Sequence, residues 1–279
     1  MPPPEVIAGL LMIAGGVAAG LFGSLLGLGG GVLIVPILTL GFGLGLREAV
    51  GVSLVCVIVT SSASAGVYLQ RHVANLRLGM VLELFTAVGA MAGGLVAFLI
   101  DEDILALLFS GLLIYVAASM ARRRDPAPAQ PTADETAPSL PPEPAPEHVE
   151  RLSGPGYTVR NIPASAVGSV VAGVMSALLG VGGGTVKVPV MHLVMGVPLR
   201  VATATSNLMI GVTASASAVI YLVRGGIDPY VAGPTAIGVF LGASLGSRVA
   251  HRIRIGVLRW LFVAVLGYTA VQMLVRALG

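Results

Sequence analysis

The block LLGLGGG at residues 25–31 returns as LLGVGGG at residues 178–184, and the offset of 153 between the two holds along the rest of the chain. Gly20 matches Gly173, the Val35-Pro36 pair matches Val188-Pro189, and Arg47, Ser53, Tyr68 and Arg71 match Arg200, Ser206, Tyr221 and Arg224. Gly89, Gly93 and Tyr115 find their counterparts in Gly242, Gly246 and Tyr268. Over residues 20–38, nine of nineteen positions are identical to their partners, which marks a duplication of one unit. A duplicated apolar unit interrupted by glycine is the pattern expected where a membrane carrier builds a site between two pseudo-symmetric halves.

Composition places those halves in lipid. The chain is 56% hydrophobic and only 10% charged, with a mean hydropathy of +0.94, too few charges to coat a water-soluble globule of 279 residues. The net charge of +3 is small and its basic residues flank apolar segments, so nucleic acid is excluded as a partner and the lipid bilayer is the expected one. The single cysteine, Cys56, lies in an apolar run and reads as core; it permits neither an intrachain disulfide nor a cysteine metal site. No metal or other cofactor is expected. The N-terminal apolar run has no basic leader and no small-residue cleavage site, so it reads as part of the fold rather than a signal peptide.

Long apolar stretches at residues 50–70, 79–100 and 104–121, with second-half counterparts at 203–223, 231–250 and 256–274, each approach the roughly 20 residues a helix needs to cross hydrocarbon. Each triplet is preceded by an apolar helix (6–26 or 162–179), a glycine cluster, and a short segment (32–44 or 185–197) that carries an early proline. The short segments read as parts of a broken or re-entrant hairpin. The expected fold is therefore an all-α polytopic membrane protein. A first repeat spans residues 1–121, a proline-rich cytoplasmic linker 122–160, and a second repeat 161–279.

Charge placement suggests that the repeats are inverted. The first-half loops read basic (Arg71, His72, Arg77), acidic (Asp101, Glu102, Asp103) and basic (Arg122 to Arg124), which places them inside, outside and inside. The counterpart of the acidic loop instead carries Arg248, His251, Arg252 and Arg254, the opposite polarity. A parallel duplication with four simple spans per half is the alternative.

The polar groups inside the apolar repeats define the candidate site. Gly29, Gly30 and Gly31, with Gly182, Gly183 and Gly184, allow sharp turns whose free backbone N–H groups receive an anion; close helix packing through small residues is the competing use. Lys187, whose first-half counterpart is Ile34, is a cation at membrane depth: it holds a substrate anion, meets a buried partner such as Glu83, or snorkels to the surface. Ser53, Thr205, Ser206 and Asn207 stand early in the helices that follow the broken elements, where hydroxyl and amide donors face anionic oxygens; each serine could equally bond its own helix. Arg47 and Arg200 attract an anion or anchor the interface. The glycine spacing does not fit a phosphate-binding P-loop, and no paired carboxylates or metal-ligand set point to an enzyme.

The element GSLLGLGGG at residues 23–31, followed by Val35-Pro36 and an R-x-A/E-x-x-x-S pattern from Arg47, resembles the TauE/SafE family of sulfite and organosulfonate exporters. The second half repeats the glycine and Val-Pro elements and continues as RVATATSN from Arg200. The resemblance covers both halves and omits the linker. It implies export of sulfite, sulfoacetate or a related organosulfonate by a multi-pass protein of the bacterial inner membrane. Together with the residues, it leads to an expected secondary transporter that exports a small anion by alternating access, with homo-oligomers allowed. A passive anion channel and a membrane assembly factor without transport are the alternative functions.

Overall fold

Apolar runs placed in lipid become helices because hydrocarbon offers no partner for an unpaired backbone N–H or C=O. The computed structural model describes residues 4–26, 30–70, 74–122, 152–153, 157–249 and 255–278, and these are almost entirely helical. In chain order the elements are α1 (Pro4–Leu26), α2 (Gly31–Pro36), α3 (Leu46–Gln70), α4 (Leu76–Ala97) and α5 (Glu102–Arg122). There follow α6 (Ile162–Leu179), α7 (Gly184–Pro189), α8 (Leu199–Val223), α9 (Pro229–Val249) and α10 (Ile255–Leu278).

Among the described residues six helices, α1, α3, α4, α5, α6 and α8, contain stretches long and apolar enough to cross a membrane, which makes the fold a polytopic one. The apolar helices expected at 6–26 and 162–179 are of crossing length. α9 and α10 are 21 and 24 residues long, and the described apolar part of α10 covers Phe262–Val275.

The two short elements share one construction. α2 ends at Pro36 and α7 at Pro189, and each continues directly as a π-helical turn, Ile37–Gly41 and Val190–Val194. Proline has no N–H to donate and crowds the carbonyl four residues back, and widening to the π form lets the chain continue past it. Six α-helical and five π-helical residues reach roughly 16 Å, about half of a ~30 Å hydrocarbon layer. Both elements therefore stop inside the bundle, packed on α3 and α8 respectively.

Helix directions follow from which residues meet. α1 packs against α9, with Gly16 facing Thr235 to Gly238, Gly20 facing Val239 and Gly242 facing Val17; the numbers rise together, so these helices run parallel. α4 and α6 are likewise parallel, with Gly89 facing Val170 and Gly93 facing Val174. A Cβ at Gly89 or Gly173 would collide with a carbonyl of the facing helix, so glycine there sets the close approach of the two backbones. α3 and α8 cross antiparallel, Gly51 meeting Gly226 while Ser61 bonds both the Asn207 carbonyl (2.9 Å) and the Gly211 N–H (3.0 Å). α4 runs parallel to α8, its Gly79 beside Thr205 and its Gly94 beside Ile220. α5 packs on α10.

Helix ends are tied across the bundle. Asn75 caps α4 by accepting from the Leu78 N–H at 3.0 Å, and its side-chain amide donates to the Leu152 carbonyl and the Tyr157 hydroxyl, both at 2.8 Å. Most of the expected linker, residues 123–151 and 154–156, lies outside the described residues. Its described end is packed rather than extended in solvent: Val159 is buried with Leu78, Leu82, Met191 and Met195, and the Arg160 N–H donates to the Met195 carbonyl at 3.1 Å.

Candidate functional site

The two glycine clusters meet. Gly30 and Gly183 begin α2 and α7 with φ of 77° and 71°, in the left-handed region that a side chain opposes. Gly31 abuts the Gly180 carbonyl so closely that a Cβ there would collide with it. Ser53, fully buried on α3, joins the clusters by donating to the Gly180 carbonyl at 2.7 Å and the Gly31 carbonyl at 3.3 Å. This junction lies against α3 and α8: Val57 approaches Gly31 and Gly182, and Ile210 approaches Gly182 and Gly184. Gly29 lies outside the described residues.

The counterpart of Ser53 is Ser206, and its situation differs. Ser206 is 0% exposed, and among the described residues its Oγ and that of Ser176 are buried without a hydrogen-bond partner. Both hydroxyls sit at the same cluster. Ser206 Oγ lies 3.5 Å from the position a Cβ on Gly184 would take, and the Ser176 Cβ lies 3.3 Å from that of Gly183. Leaving a buried hydroxyl unpaired costs about 1–3 kcal/mol, so two at one cluster are expensive in the absence of an acceptor. Ser176 was missed by the sequence reading. The signal available was a small-residue face on α6, Ser169, Gly173 and Ser176, but it does not tell packing from recognition.

The remaining hydroxyl and amide residues take separate roles. Thr205 Oγ1 accepts the Asn75 N–H at 2.9 Å and thereby ties α8 to the start of α4. Asn207 is buried beside Ser206, its carbonyl accepting from Ser61. Tyr221, fully buried, donates to the Ala177 carbonyl at 3.0 Å, one turn before Gly180. His192 is exposed, with Nδ1 2.9 Å from the Val197 carbonyl, and stands apart from the junction.

Lys187 meets the buried partner considered for it. Its Nζ lies 2.7 Å from Glu83 Oε2 on α4 and donates to Thr213 Oγ1 on α8 at 2.7 Å; the Thr213 hydroxyl in turn donates to Glu83 Oε1 at 2.6 Å. The lysine is 2% exposed and the glutamate 8%. Three elements thus close a ring of charge-assisted hydrogen bonds one turn beyond Gly184, pinning the short α7 to α4 and α8. The repeat-equivalent positions of Lys187, Glu83 and Thr213 are Ile34, Ala236 and Thr60, so the ring has no counterpart.

The structure does not bring Arg47 to the junction. Arg47 reaches the other way: Nε donates to the Ala97 carbonyl at 3.0 Å and a terminal nitrogen to that of Ile100 at 2.7 Å, and the guanidinium lies over the Phe98 ring. It closes the C-terminal end of α4, where a cation also suits the helix dipole. Arg200 stands in the first turn of α8, with its side chain outside the description. A narrow apolar crevice lies beside α2, lined by residues such as Met12, Ile34, Phe42 and Thr235. Among the described residues no three His, Cys, Asp or Glu side chains gather as metal ligands.

Crossing helices, two half-length elements meeting inside them, and a buried polar seam define a multi-pass α-helical membrane protein. The family model described as sulfite exporter TauE/SafE matches residues 12–273, and the chain belongs to that family, one of membrane transporters rather than enzymes. It is 25% identical over 257 residues to YunE of Bacillus subtilis, covering 88% of this chain and 89% of that protein. It is 28% identical over 286 residues to MJ0441 of Methanocaldococcus jannaschii, covering 95% and 94%. Both relatives are described as probable membrane transporter proteins. The family thus reaches both bacteria and archaea. No solved structure matches the chain.

Proposed function

We propose that the protein is a secondary transporter of the plasma membrane, in a bacterial host the inner membrane, that exports a small sulfur oxoanion such as sulfite or an organosulfonate. The anion binds at the glycine junction and crosses by alternating access. The observation that carries this reading is the pair of unpartnered buried hydroxyls, Ser176 and Ser206, on residues beside one glycine cluster in a membrane interior that holds few charges. An oxoanion supplies the acceptors those hydroxyls lack, and the N–H groups of Gly182 to Gly184 add donors where no Cβ intrudes. Gly29 to Gly31, Ser53, Thr205 and Asn207 complete the walls and hinges of the site. Lys187 supplies positive charge nearby.

Alternating access needs two states related by exchange of the halves. Residues 1–121 and 161–279 are read as inverted repeats joined by a cytoplasmic linker at 122–160. The offset of 153 marks the duplication, and one feature supports its inversion: the repeat-equivalent helices α3 and α8 run antiparallel, Gly51 meeting Gly226 and Ser61 meeting Asn207 and Gly211. The sulfur oxoanion is suggested by the family's description as a sulfite exporter.

The test is flux of sulfite and methanesulfonate in proteoliposomes. Saturable flux that falls at least tenfold in Ser206→Ala and Ser176→Ala, with both variants folded, supports the site. Flux equal to the parent's in both variants removes the junction from the pathway, and non-saturating flux points to a channel.

A further inference from the structure

The ring of Lys187, Glu83 and Thr213 has a use beyond holding α7 in place. We infer that Glu83 takes up a proton when the anion binds, so that the protein carries a proton and an anion together in the same direction; this rests on the anion site proposed above. Export then proceeds where the outward anion gradient exceeds the inward proton gradient.

The argument is one of charge at a single buried spot. Before the anion arrives, the lysine and glutamate neutralise each other. An anion that reaches Gly184, one turn from Lys187, turns that neutral pair into a group with a net negative charge in a medium where uncompensated charge is costly. A proton on Glu83 removes the excess. Lys187 then remains an ammonium whose charge is available to the anion, and the site is neutral again. Lys187 commits two of its three N–H donors to Glu83 and Thr213, so a donor remains to turn toward an anion.

The ring is also built to accept that proton without a new partner. The Thr213 hydroxyl donates to Glu83 Oε1 at 2.6 Å but also lies 3.2 Å from the Met209 carbonyl of its own helix. When a proton enters on Glu83 Oε1, the Thr213 hydroxyl rotates to the Met209 carbonyl, and its oxygen receives the new O–H. The proton comes from water on the side from which the anion enters, and both are released on the other side. No bond other than the carboxyl O–H forms or breaks.

Other groups do not supply the proton as readily. On the elements packed around Glu83, α6 carries no charged residue, α4 adds only Arg77, exposed at its start, and α7 with its π turn adds only His192, exposed and beside the Val197 carbonyl. α8 adds Arg200 in its first turn and Tyr221, whose hydroxyl is committed to Ala177.

The test uses the full chain in proteoliposomes with methanesulfonate, which stays anionic across the pH range, so that any proton moved is carried by the protein. A one-unit pH gradient, acidic outside, is expected to accumulate methanesulfonate inside up to about tenfold, with little effect of an imposed voltage. In Glu83→Gln the accumulation ratio is expected to fall to unity while exchange of labelled for unlabelled methanesulfonate continues at a reduced rate, which shows the variant folded. Parent flux that follows voltage and ignores the pH gradient overturns the coupling and leaves the anion site standing, and that outcome needs no variant. Accumulation retained in Glu83→Gln also overturns it. Flux of neither methanesulfonate nor sulfite in the folded parent overturns the transport reading itself, and the coupling with it.

Discussion

Lys187→Met isolates what the buried ring contributes to stability. The substitution preserves a long flexible side chain on α7 but leaves the Glu83 carboxylate, 8% exposed, with only the Thr213 hydroxyl against it. Removing one partner of a buried ion pair costs about 3–5 kcal/mol, because the other charge stays behind unpaired. Replacing both partners with apolar groups of similar size is close to neutral by the same reasoning, since the desolvation of both charges is no longer needed. Lys187→Met combined with Glu83→Leu should therefore recover most of the loss. At roughly 2–4 °C per kcal/mol, the single variant melts on the order of 10 °C below the parent. The chain supplies its own reporter: Cys56 is the sole cysteine and is fully buried, so a thiol-reactive dye reads unfolding in detergent. If the single and double variants melt together, or the single variant melts with the parent, the ring is not a paired buried charge system and the reasoning fails.

The two equivalent serines should separate by phenotype. Ser53→Ala removes a hydroxyl bonded to both glycine clusters and lowers stability by about 0.5–1.5 kcal/mol; Ser206→Ala removes an unpartnered one, relieves its desolvation cost and leaves the melt at or above the parent's while lowering flux. Gly173→Leu forces α6 away from α4, where even a Cβ meets the Thr86 carbonyl, and should cost at least the 1–3 kcal/mol typical of overpacking, read in the same dye melt. Cysteines placed at the exposed, repeat-equivalent Arg77 and Tyr230, in a Cys56→Ala background, should react with an impermeant label from opposite sides of the membrane; reaction from one side would mean a parallel duplication.

The sequence made local construction visible and partnership mostly invisible. The Leu-Leu-Gly blocks and the Val-Pro pairs marked both half-length elements, because glycine and proline act on the backbone of their own segment. The π turns after Pro36 and Pro189 were not foreseen, since the choice between stopping and widening depends on the packing around each proline. Glu83 could be named as a partner for Lys187 because a membrane interior offers so few charges, although its geometry with Thr213 could not. Arg47 shows the opposite case. Its match to Arg200 invited a shared role at the anion, whereas it caps carbonyls at the end of α4, some fifty residues away in sequence. The clamp of Asn75 on Leu152 and Tyr157 was hidden for the same reason: composition marked the proline-rich stretch as a linker, and nothing local showed that its end docks on α4.

The central claim is that a small sulfur oxoanion moves through this protein as through a carrier, and counterflow tests it most directly. Proteoliposomes loaded with unlabelled methanesulfonate are diluted into a trace of labelled methanesulfonate. A carrier with one alternating site gives a transient accumulation of label above its outside concentration, saturating with the loaded anion and lost in Ser206→Ala. Label that only equilibrates, at a rate indifferent to what is loaded inside, would contradict alternating access.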